Sequence, residues 1–334
     1  MSRILIETMV KRALRDINDN PERGIRNLVD LGLNFSKGRF QRNILGAIQT
    51  LLKNEDSEYY TLLRNIVTYV DNDILFNFGM NIGYNSCTLG AKKIREWEKE
   101  KGYNVPWVVT MEVDGQSFNR APNRYKGLIA EGEKLGIFSW IIEIGDYSKE
   151  ILSMIESYPD SAFILMINAS SVTEEFMSDM KSLDNVMIII ENSEDVEEVV
   201  INLKKHKMLY GICYKYCEDD IEKIADGSYF DVAQELYAAV TVLIPEENVD
   251  TEKRKKVYEI VNRLRMSQKC STILWDFERD NCRIDEIISD DACFVCFDKE
   301  GNLIGLNENK IYKERILYHQ SLQQILNENF KKYK

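Results

Sequence analysis

From Asp73 onward the chain alternates short, unbroken apolar runs with helical stretches, and few architectures accept that pattern. The runs are 74–80 (ILFNFGM), 106–113, 138–144, 162–168, 185–191, 209–215, 238–244 and 271–277. Apolarity without alternation is the mark of strands covered on both faces, as in parallel sheets whose crossovers are helices. Eight strand-helix units predict an α/β protein built as a (β/α)8 TIM-like barrel, closed or partial; an open doubly wound sheet is the alternative. Beyond the eighth run, ACFVCFDKEGNLIGL reads as a β-hairpin turning at Asp298-Lys299-Glu300-Gly301. The stretch 310–332 reads as a closing helix. Residues 1–70 show only three-to-four spacing, as in Val10, Leu14, Ile17 and Leu62, Ile66, Val70, which predicts helices throughout. The expected division is therefore 1–70 helical, 71–310 barrel and 311–334 C-terminal helix.

Charge divides along the same line. The 334 residues carry 43 Lys and Arg against 55 Asp and Glu, a net charge of -12, and residues 1–70 hold 11 of the bases and 8 of the acids. A basic run in this otherwise acidic chain, FSKGRFQRN, sets Lys37, Arg39, Phe40 and Arg42 as a candidate docking patch for an acidic or nucleotide partner. A solvated loop leading into a helix is the plainer reading of that run. Acidity of the whole argues against nucleic-acid binding, which needs surplus cations for phosphate. His206 and His319 are the only histidines, too few for a three-histidine zinc site or an imidazole relay. Neither a signal-like segment nor a membrane-spanning apolar window is evident, and the seven cysteines are odd in number. A cytoplasmic protein with free thiols and no membrane partner is expected.

Barrel chemistry sits on the loops at the C-terminal ends of the strands. There the sequence places Gly83, Tyr84, Asn85, Cys87 and Gly90 after the first run, then Glu112 and Asp114, Glu143 and Asp146, Asn168, Glu191 and Asn192, Tyr214 and Cys217, Glu246, and finally Asp276 and Glu278. The candidate ligand site is Gly83, Tyr84, Asn85, Cys87, Gly90, Glu112, Asp114, Glu143, Asn168 and Glu191. Converging carboxylates hold a divalent metal, bind a cationic substrate, or include one acid with a raised pKa for proton transfer. Acids at strand ends also simply cap the helices that follow. Cys87, a thiol before a helix N-terminus, is in a position that can lower a thiol pKa, while a buried small hydrophobe or a vestige is the plainer reading. Gly79, Gly83 and Gly90 match neither phosphate-binding glycine pattern. Cys293 and Cys296 read as buried structural thiols on a strand, while Cys213 and Cys217 leave a redox or metal use open.

The run Gly83-x3-Cys87-x2-Gly90, the acid-bearing Glu112-Val113-Asp114-Gly115, and Cys282 upstream of a glycine-turn hairpin together resemble the radical S-adenosylmethionine enzymes, especially those with a SPASM-type extension. In that family the loop after the first barrel strand carries Cys-x3-Cys-x2-Cys, and three thiolates hold an iron-sulfur cluster. Here only the middle cysteine stands, the Gly-Gly-Glu-Pro motif keeps only an acid, and the second auxiliary cysteine would fall near Leu306. The resemblance spans roughly residues 72–310 and implies a degenerate relative: a pseudoenzyme acting as a ligand- or partner-binding accessory protein in peptide modification or a related pathway. No cofactor and no metal are expected; S-adenosylmethionine or a related nucleotide is the ligand class that the resemblance leaves open, with a protein or peptide as partner. Two rival readings stand beside it. One is an active enzyme using Glu112, Asp114, Glu143 and Glu191 for metal binding or acid-base chemistry, the other an interaction module working through the N-terminal helices.

Overall fold

The structure, a computed structural model, describes residues 3–35, 39–145, 147–289, 291–305 and 311–332. Its strands are β1 (Val108–Val113), β2 (Ser139–Ile144), β3 (Ala162–Ile167), β4 (Val186–Glu191), β5 (Tyr210–Tyr216), β6 (Val240–Pro245), β7 (Ile273–Asp276), β8 (Val295–Phe297), β9 (Leu303–Ile304) and β10 (Ile311–Lys313). Two compact units share them: one comprises 81–195 with 278–334, the other 1–80 with 196–277. Both are mixed α/β with mostly parallel strands, as the alternating runs predict.

In the 81–195/278–334 unit the strand order is β10-β9-β8-β1-β2-β3-β4, with β8 and β1 to β4 all parallel. One face of this sheet is a closed core. Val109, Met111, Trp140, Ile142, Phe163, Leu165, Val186 and Ile188 are all without solvent contact, each side chain contributing roughly 1.5 to 3 kcal/mol by its burial. The helix Pro122–Leu135 packs onto that face, and Gly132 makes the approach possible, since a Cβ there would come within 2.5 Å of the Trp140 ring. A buried carboxylate fixes the order of β8 and β1. Asp285, on the helix Phe277–Ser289, accepts the backbone N–H of Trp107 at 2.8 Å, just before β1, and that of Cys293 at 3.4 Å, just before β8. Burial drives the Asp285 pKa well above the usual carboxylate range.

The 1–80/196–277 unit begins with helices Arg3–Asp19, Pro21–Phe35, Arg39–Leu51, Tyr59–Tyr69 and Asn72–Met80. Val29, Leu52 and Tyr60 form a small core against Ile25, Leu33 and Ile48, and Tyr60 Oη donates to Leu52 O at 2.7 Å. Parallel strands β5, β6 and β7 follow, with crossovers that include Ile221–Asp226 and Thr251–Ser267. The helical and α/β parts are tied within this unit by Glu58 N to Gln268 O at 2.9 Å and Tyr59 Oη to Arg265 O at 3.2 Å.

Two expectations are corrected. The run 74–80 is not the first strand but the helix Asn72–Met80. Asp71 starts it: its side chain accepts the Asp73 N–H at 2.8 Å and its carbonyl accepts the Leu75 N–H at 3.0 Å, the action of an aspartate N-cap. Ile74, Phe76 and Phe78 suit a strand while Asn77 and Gly79 do not, so composition leaves the run undecided and the Asp71 cap favours the helix. In the sheet, the place beside β1 that a strand over 74–80 would hold belongs instead to β8. The second correction concerns 310–332, which is not one helix. Residues 311–313 pair with β9, and separate helices span Ile316–His319 and Leu322–Asn329, the latter opened by a Ser321–Gln324 capping box. The hairpin itself forms where expected, β8 antiparallel to β9, with Gly301 at φ +79° in the turn.

Candidate functional site

Opposite the closed core, the second face of the same unit's sheet is partly open and acidic. Register places Glu112 of β1 beside Glu143 of β2, and one step beyond the Met111–Phe297 pair it adjoins Asp298 at the hairpin. The strand period of two carries Asp114 onto this face beyond Glu112, Asn168 beyond Met166, and Glu191 beyond Ile189. Five sequence-predicted candidates, Glu112, Asp114, Glu143, Asn168 and Glu191, thus share one face at the C-terminal ends of consecutive strands. Glu143 and Asn168 are exposed, and Glu112, Asp114 and Glu191 are half-buried.

Their electrostatics differ. Burial pushes the Glu112 carboxyl up to about 7, and the neighbouring charges of Glu143, Asp298 and Glu300 add to the shift, while the backbone N–H of Lys299 opposes it. Asp114 is held below its ordinary range because it accepts the Ser117 N–H at 2.6 Å in a capping box that opens the helix Gly115–Arg120. For Asp114 the capping role is real. Asp298 is anchored by the N–H of Asn302 at 2.8 Å and by Asn302 Nδ2 at 2.7 Å. Beneath Glu112 on the same face lie Thr110 and, across the strand pair, Cys296, both buried. Among the described residues no three His, Cys, Asp or Glu side chains group in a way that would hold a metal ion.

The other half of the candidate list lies elsewhere. Residues 81–90 form a wide helical turn rather than a loop, and they lie at the opposite, N-terminal ends of β2 and β3. Asn81 Nδ2 donates to Pro159 O at 2.8 Å and Ser161 O at 2.9 Å, and Asn85 Nδ2 donates to Asn81 Oδ1 and Asp160 O, both at 2.8 Å. Ser139 Oγ donates to Ser86 Oγ at 2.8 Å. Gly83 is exposed, Tyr84 half-buried and Gly90 buried. A six-residue strand separates the two ends by about 16 Å, so Gly83, Tyr84, Asn85, Cys87 and Gly90 do not join the carboxylates. For Cys87, burial inside the turn pushes the thiol up to about 12, and Gly90 is already helical, so no free helix N-terminus lowers it. Asn85→Ala is expected to cost about 2 kcal/mol, the loss of two buried amide bonds, measured as a lower urea midpoint.

Of the candidate docking patch, Lys37 lies outside the described residues, while Arg39 and Phe40 open the helix Arg39–Leu51 and Arg42 is exposed on it. Asp146 and Leu306 also lie outside the described residues. Cys293 and Cys296 are buried, with thiols raised by burial, as structural thiols would be. Cys282 is half-buried and its thiol is pushed up to about 12. Sequence reasoning missed Thr110, Asp298 and Glu300 as members of the acidic face. The hairpin turn carried the signal for the last two, but their place beside Glu112 depends on β8 pairing with β1.

No family model and no curated protein match the chain. Among solved structures, Streptococcus suis SuiB bound to S-adenosylmethionine is similar at 10% identity and a TM-score of 0.51, over 72% of this chain and 68% of that one. SuiB bound to the precursor peptide SuiA is similar at 9% identity and a TM-score of 0.50, over 72% and 69%. The likeness is one of fold alone, shared with SuiB over those lengths.

Proposed function

We propose that this chain uses a radical S-adenosylmethionine-like fold for binding rather than for radical chemistry, as an accessory protein in peptide modification or a related pathway. One observation carries the reading. The first parallel strand of the sheet in chain order is β1, and the segment after it, 114–121, contains no cysteine and folds as a capped helical turn. Gly83, Cys87 and Gly90, the positions that the sequence resemblance aligned with cluster ligands, offer a single thiol whose pKa is raised by burial. Neither place supplies the three thiolates that an iron-sulfur cluster needs, so the residues do not fit that group and no step is derived through it.

In this reading the open acidic face is the ligand site, and Glu112 is the residue on it suited to a cationic amino group, of a partner peptide or of S-adenosylmethionine or a related nucleotide. The helices of 1–70 are the partner-docking part, 71–310 is the barrel-like body, and a cytoplasmic location belongs to the same proposal. No helix among the described residues is long and apolar enough to cross a membrane. Anaerobic reconstitution with iron and sulfide is expected to leave less than one iron per chain and no reductive cleavage of S-adenosylmethionine. Stoichiometric uptake of a cluster with cleavage overturns the proposal. The acid-base enzyme is kept as a second reading on one specific observation, the Glu112 carboxyl poised at about 7.

A further inference from the structure

We propose that the open face of the 81–195/278–334 unit docks a basic peptide segment, with its lysine or arginine side chains seated over Glu112, Glu143 and Asp298. The inference deepens the binding reading above and rests on it. Glu112, Glu143 and Asp298 lie side by side across β1, β2 and the hairpin on one sheet face, and Asp114 and Glu191 stand two residues further along the strands. A single ammonium against three adjacent carboxylates leaves the row negative. A ligand with several cationic groups, spaced along an extended chain, answers both rows.

A second observation points the same way. Thr110 is 4% exposed, its hydroxyl has no hydrogen-bond partner, and the strand period turns it onto the same face as Glu112, directly below it. A buried polar atom left unpaired costs free energy and is uncommon in folded proteins. Guanidinium offers five N–H donors in a fixed fork and ammonium offers three, so a cation pairing with Glu112 keeps donors to spare for an unpaired acceptor on the same face. Exposed Asn168, on the same face, supplies a carboxamide suited to a peptide backbone. Of the charged groups around Glu112, the acids Glu143, Asp298 and Glu300 favour an incoming cation, while the Lys299 charge on the hairpin, which acts on Asp114, opposes it.

The test is a titration of the full chain at low salt with a fluorescein-labelled, end-blocked nonapeptide carrying three Lys or Arg residues. Its counterpart has glutamine at those three positions. The basic peptide is expected to bind at least about tenfold more tightly than the neutral one, and Glu112→Gln with Glu143→Gln to weaken it about tenfold. Thr110→Val, which keeps shape and removes the orphan hydroxyl, is expected to weaken binding about threefold while remaining folded. Glu197→Gln with Glu198→Gln, exposed acids on the helix Val196–Lys205, should leave binding unchanged. Equal binding to wild type and to the Glu112/Glu143 variant overturns the proposal, because general acidity then explains the affinity. So does binding of spermidine or S-adenosylmethionine at this face without binding of the peptide. Iron content and cofactor cleavage report on the non-catalytic reading independently, so the two fail separately.

Discussion

Alanine at position 90 is expected to destabilise the 81–195/278–334 unit by about 3 kcal/mol or more, the upper range for overpacking against backbone. A Cβ on Gly90 would fall well inside contact distance of Gly136 O, and would also lie 3.0 Å from Asn85 O and 3.2 Å from the Phe138 ring. The approach is mutual, since a Cβ on Gly136 would lie 2.6 Å from Gly90 O. Relief by movement is blocked on both sides. Gly136 ends the helix Pro122–Leu135 at φ +106°, a conformation that favours glycine, and Asn81 and Asn85 pin the turn before Gly90 to the carbonyls of 159–161. Gly83→Ala makes the decisive comparison. Nothing lies within 4 Å of a Cβ there, and the residue is helical, so alanine should be neutral or stabilising by up to about 1 kcal/mol. Urea unfolding of both variants reads the difference. If Gly90→Ala unfolds within about 1 kcal/mol of wild type, the packing account of Gly90 is wrong.

That contrast shows how the sequence both informed and misled. The strand runs from 106 to 277 were legible because parallel strands buried on two faces leave unbroken apolar stretches, and each became a strand within two residues of its expected ends. The run 74–80 failed because periodicity does not separate a short buried helix from a strand, and its helix start depends on one side-chain acceptor, Asp71. Placing 81–90 on a strand-end loop followed from that error, and so did grouping Gly83 and Cys87 with Glu112. The acidic face was half legible. Glu112, Asp114, Glu143, Asn168 and Glu191 fell on one face because all were read from strand ends. Asp298 and Glu300 were out of reach, since β8 reaches β1 through Asp285, a buried acid about 180 positions from the Trp107 N–H it accepts.

Glu112→Gln is expected to raise stability by about 1 to 3 kcal/mol at pH 8 and to leave it nearly unchanged at about pH 4, below both values, a discounted range because water reaches part of the carboxylate. The sign follows from the shift. Burial and the charges of Glu143, Asp298 and Glu300 raise the folded-state value to about 7 from an ordinary 4.5. Between those values the folded chain keeps a proton that the unfolded chain has lost, so wild-type stability falls as pH rises through that window and levels off above it. Glutamine carries no charge at either end and removes this slope. Urea midpoints of wild type and variant across about pH 4 to 8 measure it, and parallel profiles would show that Glu112 is not poised. Glu143→Gln should remove part of the shift, because a like charge directly across the strand pair is then absent. The same proton separates the two functional readings. Docking of a cation needs the ionised carboxylate, so peptide affinity should rise with pH and level off above about 7, with proton release on binding near pH 6.5 visible as buffer-dependent heat. A proton-transfer catalyst would instead show turnover tracking the Glu112 titration, and a peptide affinity flat across that range would leave the acidic face to chemistry rather than to capture.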